Sequence, residues 1–281
     1  MNTLKAWLLM GALTVLLVLI GRALFGPSGA MFFFIIAMGM NFFSYFYSDK
    51  IAIKMTRSYP VSEAEAPELY AIVRRLSQRA GIPMPKLYVT PSDQPNAFAT
   101  GRNPSHSAVA VTEGIMRLLN RSEVEGVLAH ELAHIKNRDV LIGTIAAALA
   151  GAITMMANAF QWAAIFGMGG NDEEEGGAGM VGGLLMAFLA PLAAMIVQMA
   201  ISRSREYGAD ATGARIAGSP DGLANALLKL ESAAHRIPMN VNPATSHLFI
   251  VNPLSGASLA RLFSTHPPIQ DRVERLRNMR V

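Results

Sequence analysis

The sequence predicts a mainly helical α+β fold in which a small sheet and several helices are joined to four apolar helices long enough for a bilayer. Three observations carry this. Hydrophobic residues make up 52% of the 281 and charged ones only 16%, where a soluble domain carries roughly a quarter charged. The deficit is concentrated in four nearly charge-free stretches. Between and after them lie short alternating segments and capped amphipathic ones.

The first two stretches, 6–21 and 30–47, are joined by Gly-Pro-Ser-Gly at 26–29. A cleaved signal peptide is the alternative for the first, but no small-x-small site closes it and a second apolar stretch follows at once. The third and fourth, 140–166 and 176–202, have the ~20 residues a crossing needs; a buried soluble hairpin is the alternative for this pair. Lys50, Lys54, Arg57, Lys136, Arg138, Arg203 and Arg205 flank the stretches on one side, and the 171–175 loop (Asn-Asp-Glu-Glu-Glu) carries no positive charge. The positive-inside rule puts residues 49–139 and 203–281 in the cytoplasm. The expected organisation is two membrane helices in 1–48, a first soluble part in 49–139, a membrane hairpin in 140–202 and a second soluble part in 203–281.

In the soluble parts, 61–80 reads as a capped helix stopped by Gly81, and 86–90, 96–100 and 108–112 as strands. Residues 113–119 and 122–138 read as helices, the latter with Ser122 as N-cap and Glu125 three residues on. Helices are expected over 203–217, 223–235 and 267–280, with a Pro/Asn-rich loop at 237–257. The chain has no cysteine, which excludes disulfides and thiolate metal sites. A net charge of +4 with no basic run makes nucleic acid a poor partner.

His130-Glu131-Leu132-Ala133-His134 is the strongest chemical signal. Positions i and i+4 of a helix share a face, so two imidazoles can reach one tetrahedral ion. The glutamate between them can take a proton from water activated there. A catalytic zinc needs a third protein ligand. Position 140 is Val, and 151–156 contain no Glu, so the ligand must come from beyond the apolar pair. If that pair crosses and returns, Glu206 is the first carboxylate on the cytoplasmic side, about 6 Å of helix past Ser202. An ion pair with Arg203 or Arg205 is its other reading. Asp210, on the same face as Glu206, and Asp139, near the helix end, are candidates to orient a ligand histidine.

His-Glu-Leu-Ala-His, the segment SRSREYGAD (202–210), the segment NAFATG (96–101) and the ending STHPPIQDRVERL (264–276) together resemble the HtpX-type membrane metalloproteases, and more distantly the endopeptidases that process CAAX prenyl proteins. The resemblance spans essentially the whole chain. It implies a zincin-type metalloprotease domain with one Zn²⁺ per chain, held by His130, His134 and Glu206, with Glu131 as general base. It implies a substrate-binding edge strand at Asn96, Ala97, Phe98 and Ala99. It puts His266 close to the scissile carbonyl and Arg272 near it as a buried arginine. It further implies polypeptide substrates drawn from membrane proteins, a stress-response role in quality control, and a multi-pass location in a cell inner membrane. His106, His235 and His247 match no motif and are expected to be structural or exposed.

Overall fold

The computed structural model describes residues 2–146, 149, 153, 203–237, 239, 241, 243–253 and 266–280. Helix α1 (Asn2–Met55) is two helices in one run, broken at Gly26, whose φ of 66° is left-handed, with Pro27 next. That conformation is free of strain for glycine, and it makes the turn expected at 26–29. The two halves approach at backbone distance: a Cβ on Gly21 would strike the carbonyl of Gly29 and the ring of Phe33.

Among the described residues, one segment, Gly26–Tyr47, is long and apolar enough to cross a membrane, and Ala6–Leu19 is a shorter apolar helix. Trp7, Leu8, Val15, Leu19, Phe32, Ile35, Phe42 and Phe43 lie exposed along them. An apolar belt of this extent marks contact with lipid or with another apolar surface. The opposite face is packed: Met10, Leu13, Leu17, Phe33 and Ala37 meet Leu141, Ile142, Ile145 and Leu149. The third expected stretch therefore begins as a helix, 140–146, seated on the N-terminal hairpin. Its remainder and the whole of 176–202 lie outside the described residues apart from Leu149 and Ile153.

Beyond the N-terminal hairpin the chain forms a four-stranded mixed sheet covered on one face by helices. β1 (Tyr59–Pro60), β2 (Lys86–Thr90), β3 (Ala97–Asn103) and β4 (His106–Thr112) run in the order β1-β2-β4-β3. β1 is antiparallel to β2, β2 parallel to β4, and β3 antiparallel to β4. β3 is thus an edge strand. Alternation splits its side chains: Ala97 and Ala99 enter the main core, while Phe98 turns to the other face and stacks edge-on against Phe249.

The helices are α2 (Pro67–Ala80), α3 (Glu113–Leu118), α4 (Arg121–Lys136), α5 (Arg203–Ala217), α6 (Asp221–Ala234) and α7 (Ile269–Arg277), with a 3₁₀ turn at Pro243–Leu248. Two expected boundaries are corrected. Residues 61–66 do not open α2; Ser62 and Glu65 bond each other in a separate turn, and the helix starts with Pro at its first turn. The cap of α4 is Asn120, not Ser122: the Asn120 side chain accepts from Glu123 N–H, and Glu123 accepts from Asn120 N–H. Asn120/Glu123 and Ser122/Glu125 both fit the capping pattern. Burial decides, because Glu123 is the one turned inward, against Lys229.

α4 runs through the middle of the core, with 11 residues buried. Its glycine, Gly126, lies on the backbone of Gly222 and Leu223 at the start of α6, where a Cβ would collide. Gly126→Val should destabilise the protein by about 1–3 kcal/mol, the usual cost of overpacking. The check is its apparent melting temperature in detergent; an unchanged value would mean the two helices do not cross there.

Candidate metal centre

Three elements converge. α4 presents His130 and His134 one turn apart, and their Nε2 atoms lie 3.1 Å from each other. α5 lays Glu206, Asp210 and Gly213 along the face that meets α4. Gly213 makes the approach possible, since a Cβ there would sit 2.9 Å from the N and Cα of His130. The Glu206 carboxylate then reaches across, with Oε1 3.4 Å from His134 Nε2 and Oε2 3.9 Å from His130 Nε2. One donor atom from each of the three residues falls within a 4.8 Å set. Donors about 2.1 Å from a tetrahedral ion stand about 3.4 Å from one another, so the three residues fit zinc.

The far side of each imidazole is held. Nδ1 of His130 lies 2.9 Å from Asp210 Oδ1, and Nδ1 of His134 lies 3.3 Å from Asp139 Oδ2. A proton on Nδ1 facing a carboxylate leaves the Nε2 lone pair for a cation. Asp139 reaches His134 because Arg138 adopts a left-handed φ of 58°, folding the chain back so that Asp139 N–H bonds the His134 carbonyl. Asp210 is in turn gripped by Arg272, whose Nε and Nη2 donate to its two oxygens at 2.9 and 2.7 Å.

Charge follows position. Burial pushes His130 down, with His134 and Arg272 adding to the effect against Asp210. His134 is raised to about 10: burial opposes, but Asp139 and Glu206 overcome it. Burial would raise Glu206, yet His266 and His134 hold it well below the usual range. The carboxylates gathered here thus favour positive charge at this point. Glu131, between the histidines, is raised to about 7, chiefly by burial and further by Glu206.

The other expected residues gather here too. His266 stands beside Glu206, its Nδ1 3.2 Å from Oε2, and its buried Nε2 has no hydrogen-bond partner among the described residues. Arg272 is fully buried, 3.6 Å from Glu206 and 3.4 Å from His130 Nε2. Ala99 lines the cavity with Glu131. Asn96 precedes the edge strand and is buried, bonded to Val251. Phe98 points away from the centre, to the cluster it forms with Ala110, Met239 and Phe249.

Two residues are additions to the sequence reading. His247 is buried, lines the cavity and places Nε2 3.0 Å from the Gly143 carbonyl. It stands in the short 3₁₀ turn at Pro243–Leu248, too short for a period, so no sequence pattern marked it. Arg205 also lines the cavity; its neighbour Glu206 faces the histidines instead of pairing with it. His106 and His235 are exposed, His106 bonding Asn103 in the β3–β4 turn.

A model of peptidase family M48 matches residues 63–280. The chain belongs to this family. It is therefore a zinc metalloprotease, and the matched M48 region contains every group of the centre. Among its relatives, the protease HtpX homolog of Pelotomaculum thermopropionicum is 73% identical over 281 residues, covering all of both chains. The HtpX homolog of Thermodesulfovibrio yellowstonii is 60% identical, over 99% of each chain. The crystal structure of S. mikatae Ste24p is similar in fold, with a TM-score of 0.50 at 20% identity, over 98% of this chain and 65% of that one.

The Asp210 carboxyl sits at about 2, below its ordinary 3.8; burial opposes this, but Arg272 and His130 prevail. Its contribution to stability is thus whole above about pH 4 and is lost as pH falls through about 2. Asp210→Asn leaves Arg272 buried without its partner, at a cost of about 3–5 kcal/mol. It also removes the group orienting His130, which should weaken metal binding about 10–100-fold. Zinc competition with a chelator and thermal melting measure the two effects separately.

Proposed function

We propose that the chain is a membrane-bound endopeptidase that hydrolyses exposed peptide segments of membrane proteins at the cytoplasmic face of a cell inner membrane, in quality control of damaged or misfolded ones. The observation that carries this is the meeting of His130, His134 and Glu206 donor atoms around one point, with the buried carboxyl of Glu131 beside it.

In this reading His130, His134 and Glu206 hold zinc, which when bound activates water and polarises the scissile carbonyl. The Glu131 carboxylate takes the proton of the attacking water and passes it to the leaving amine. Burial pushes this carboxyl up from the usual carboxylate range, the direction that suits a group which must return the proton it accepts. Asp210 and Asp139 hold the two imidazoles in the tautomer that the ligand role needs. His266 steadies Glu206 through Nδ1 and turns its Nε2 to the scissile region. Asn96, Ala97 and Ala99, with Arg272 beside them, form the side along which an extended substrate lies. Pairing with an edge strand uses main-chain groups, so specificity is broad.

The organisation proposed is a membrane hairpin in 1–48, catalytic parts in 49–139 and 203–281, and a second hairpin in 140–202. The exposed apolar belt of α1 and the basic flanks of the stretches support it. In a cysteine-free chain, a Glu174→Cys variant in intact cells should react with an impermeant maleimide, and a Glu274→Cys variant should not. The reverse pattern would invert the topology.

The catalytic reading is tested on detergent-purified protein with casein as an unfolded substrate. Glu131→Gln should keep its zinc and lose at least about 100-fold in cleavage rate, as expected for a general base. A chelator should abolish cleavage, and zinc should restore it. Cleavage at the wild-type rate by Glu131→Gln would exclude the mechanism.

A further inference from the structure

The outer edge of β3 is already in use. Asn96 gives its carbonyl to Thr112 N–H, so in an antiparallel pair Phe98 and Thr100 also turn their peptide groups to β4. The peptide groups of Ala97, Ala99 and Gly101 face outward. The Ala97 carbonyl accepts from Ile250 N–H at 3.0 Å. Asn96 Nδ2 donates to the Val251 carbonyl at 2.7 Å, and Val251 N–H donates back to Asn96 Oδ1 at 3.3 Å. Arg272 Nη1 donates to the Ile250 carbonyl at 3.2 Å. An extended peptide laid against this side of the centre would use the same groups. Asn96, the Ala97 carbonyl and Arg272 are all engaged by the main chain of two residues of the protein itself.

The neighbouring residues close the same space. His247, Leu248, Phe249 and Ile250 line the cavity and narrow it to about 60 Å³, room for a few waters. The His247 bond to Gly143 ties the segment to the 140–146 helix, which lines the same cavity.

We propose that residues 247–251 form a displaceable strap that occupies the main-chain positions of the substrate and leaves β3 when an extended peptide binds. The proposal rests on the reading of the site given above. Exchange of Ile250 and Val251 for an extended peptide restores the hydrogen bonds of Asn96, Ala97 and Arg272, since every polypeptide offers the same N–H and C=O groups. What the strap gives up on leaving is the burial of Phe249, Ile250 and Val251, which an apolar substrate segment replaces. The strap thereby favours apolar, unstructured clients over polar ones.

The natural chain has no thiol, so Gly143→Cys with Leu248→Cys introduces a single pair; a Cβ on Gly143 would lie 3.6 Å from Leu248 Cδ2. With zinc content equal in both states, the oxidised double variant should cleave casein at least ten times more slowly than the same protein after reduction. Equal rates would overturn the strap. Wild type, measured alongside under both conditions, reports on the site itself: cleavage there with equal rates in the variant defeats the strap alone, whereas its failure to cleave defeats the reading of the site and the strap with it. If the pair disturbs folding, hydrogen exchange decides. In Glu131→Gln saturated with an unfolded casein peptide, the Ile250 amide should exchange at least ten times faster than in the free protein. Unchanged protection with the peptide bound would overturn the proposal.

Discussion

The site depends on how closely α5 lies against α4. Gly213 meets the backbone of His130 with no side chain between, and that contact sets the height of α5 along its neighbour. One turn and two turns back from it stand Asp210 and Glu206, opposite the two faces of the imidazole pair. A slip of one residue would move each carboxylate 1.5 Å along the axis and about 100° around it. A metal with bonds near 2 Å tolerates neither. The two helices come from distant parts of the chain, and their packing makes one centre of them.

This contact also buries charge. Arg272, Asp210, His130 and Glu206 are nearly inaccessible, and each ion so placed loses several kcal/mol of hydration. The loss is offset within the group, as Arg272 binds both oxygens of Asp210 and approaches Glu206. Such an assembly contributes little net stability and much definition. It fixes which imidazole nitrogen carries the proton, and so which one is open to a metal.

Much of this was legible in the sequence, for reasons of period. The His130–His134 spacing equals one helical turn, and Glu206 with Asp210 repeats it on a second helix. The strands expected at 86–90 and 108–112 fall within β2 and β4, and the helix expected to end at 217 ends at Ala217. The start of α4 misled because two cap pairs overlap by two residues, and only tertiary burial of Glu123 separates them. Residues 247–251 were unreadable for a different cause: they run from the end of a single 3₁₀ turn into a loop, too short for a period, and their contacts arise from where that loop is laid. Asn96 was legible as part of an edge-strand motif, but its bonds to Val251 join residues 155 apart, a pairing that local pattern cannot show.

The far end of β3 is held as firmly as its start. The Thr144 hydroxyl lies 3.2 Å from that of Thr100 and accepts from Gly101 N–H at 3.3 Å. Thr144 belongs to residues 140–146, which wall the cavity at Val140 and Gly143 and sit on the apolar N-terminal hairpin. The end of the edge strand is therefore joined through a single hydroxyl group to a helix that the apolar N-terminal hairpin supports, so the cavity wall and the hairpin are set by one another.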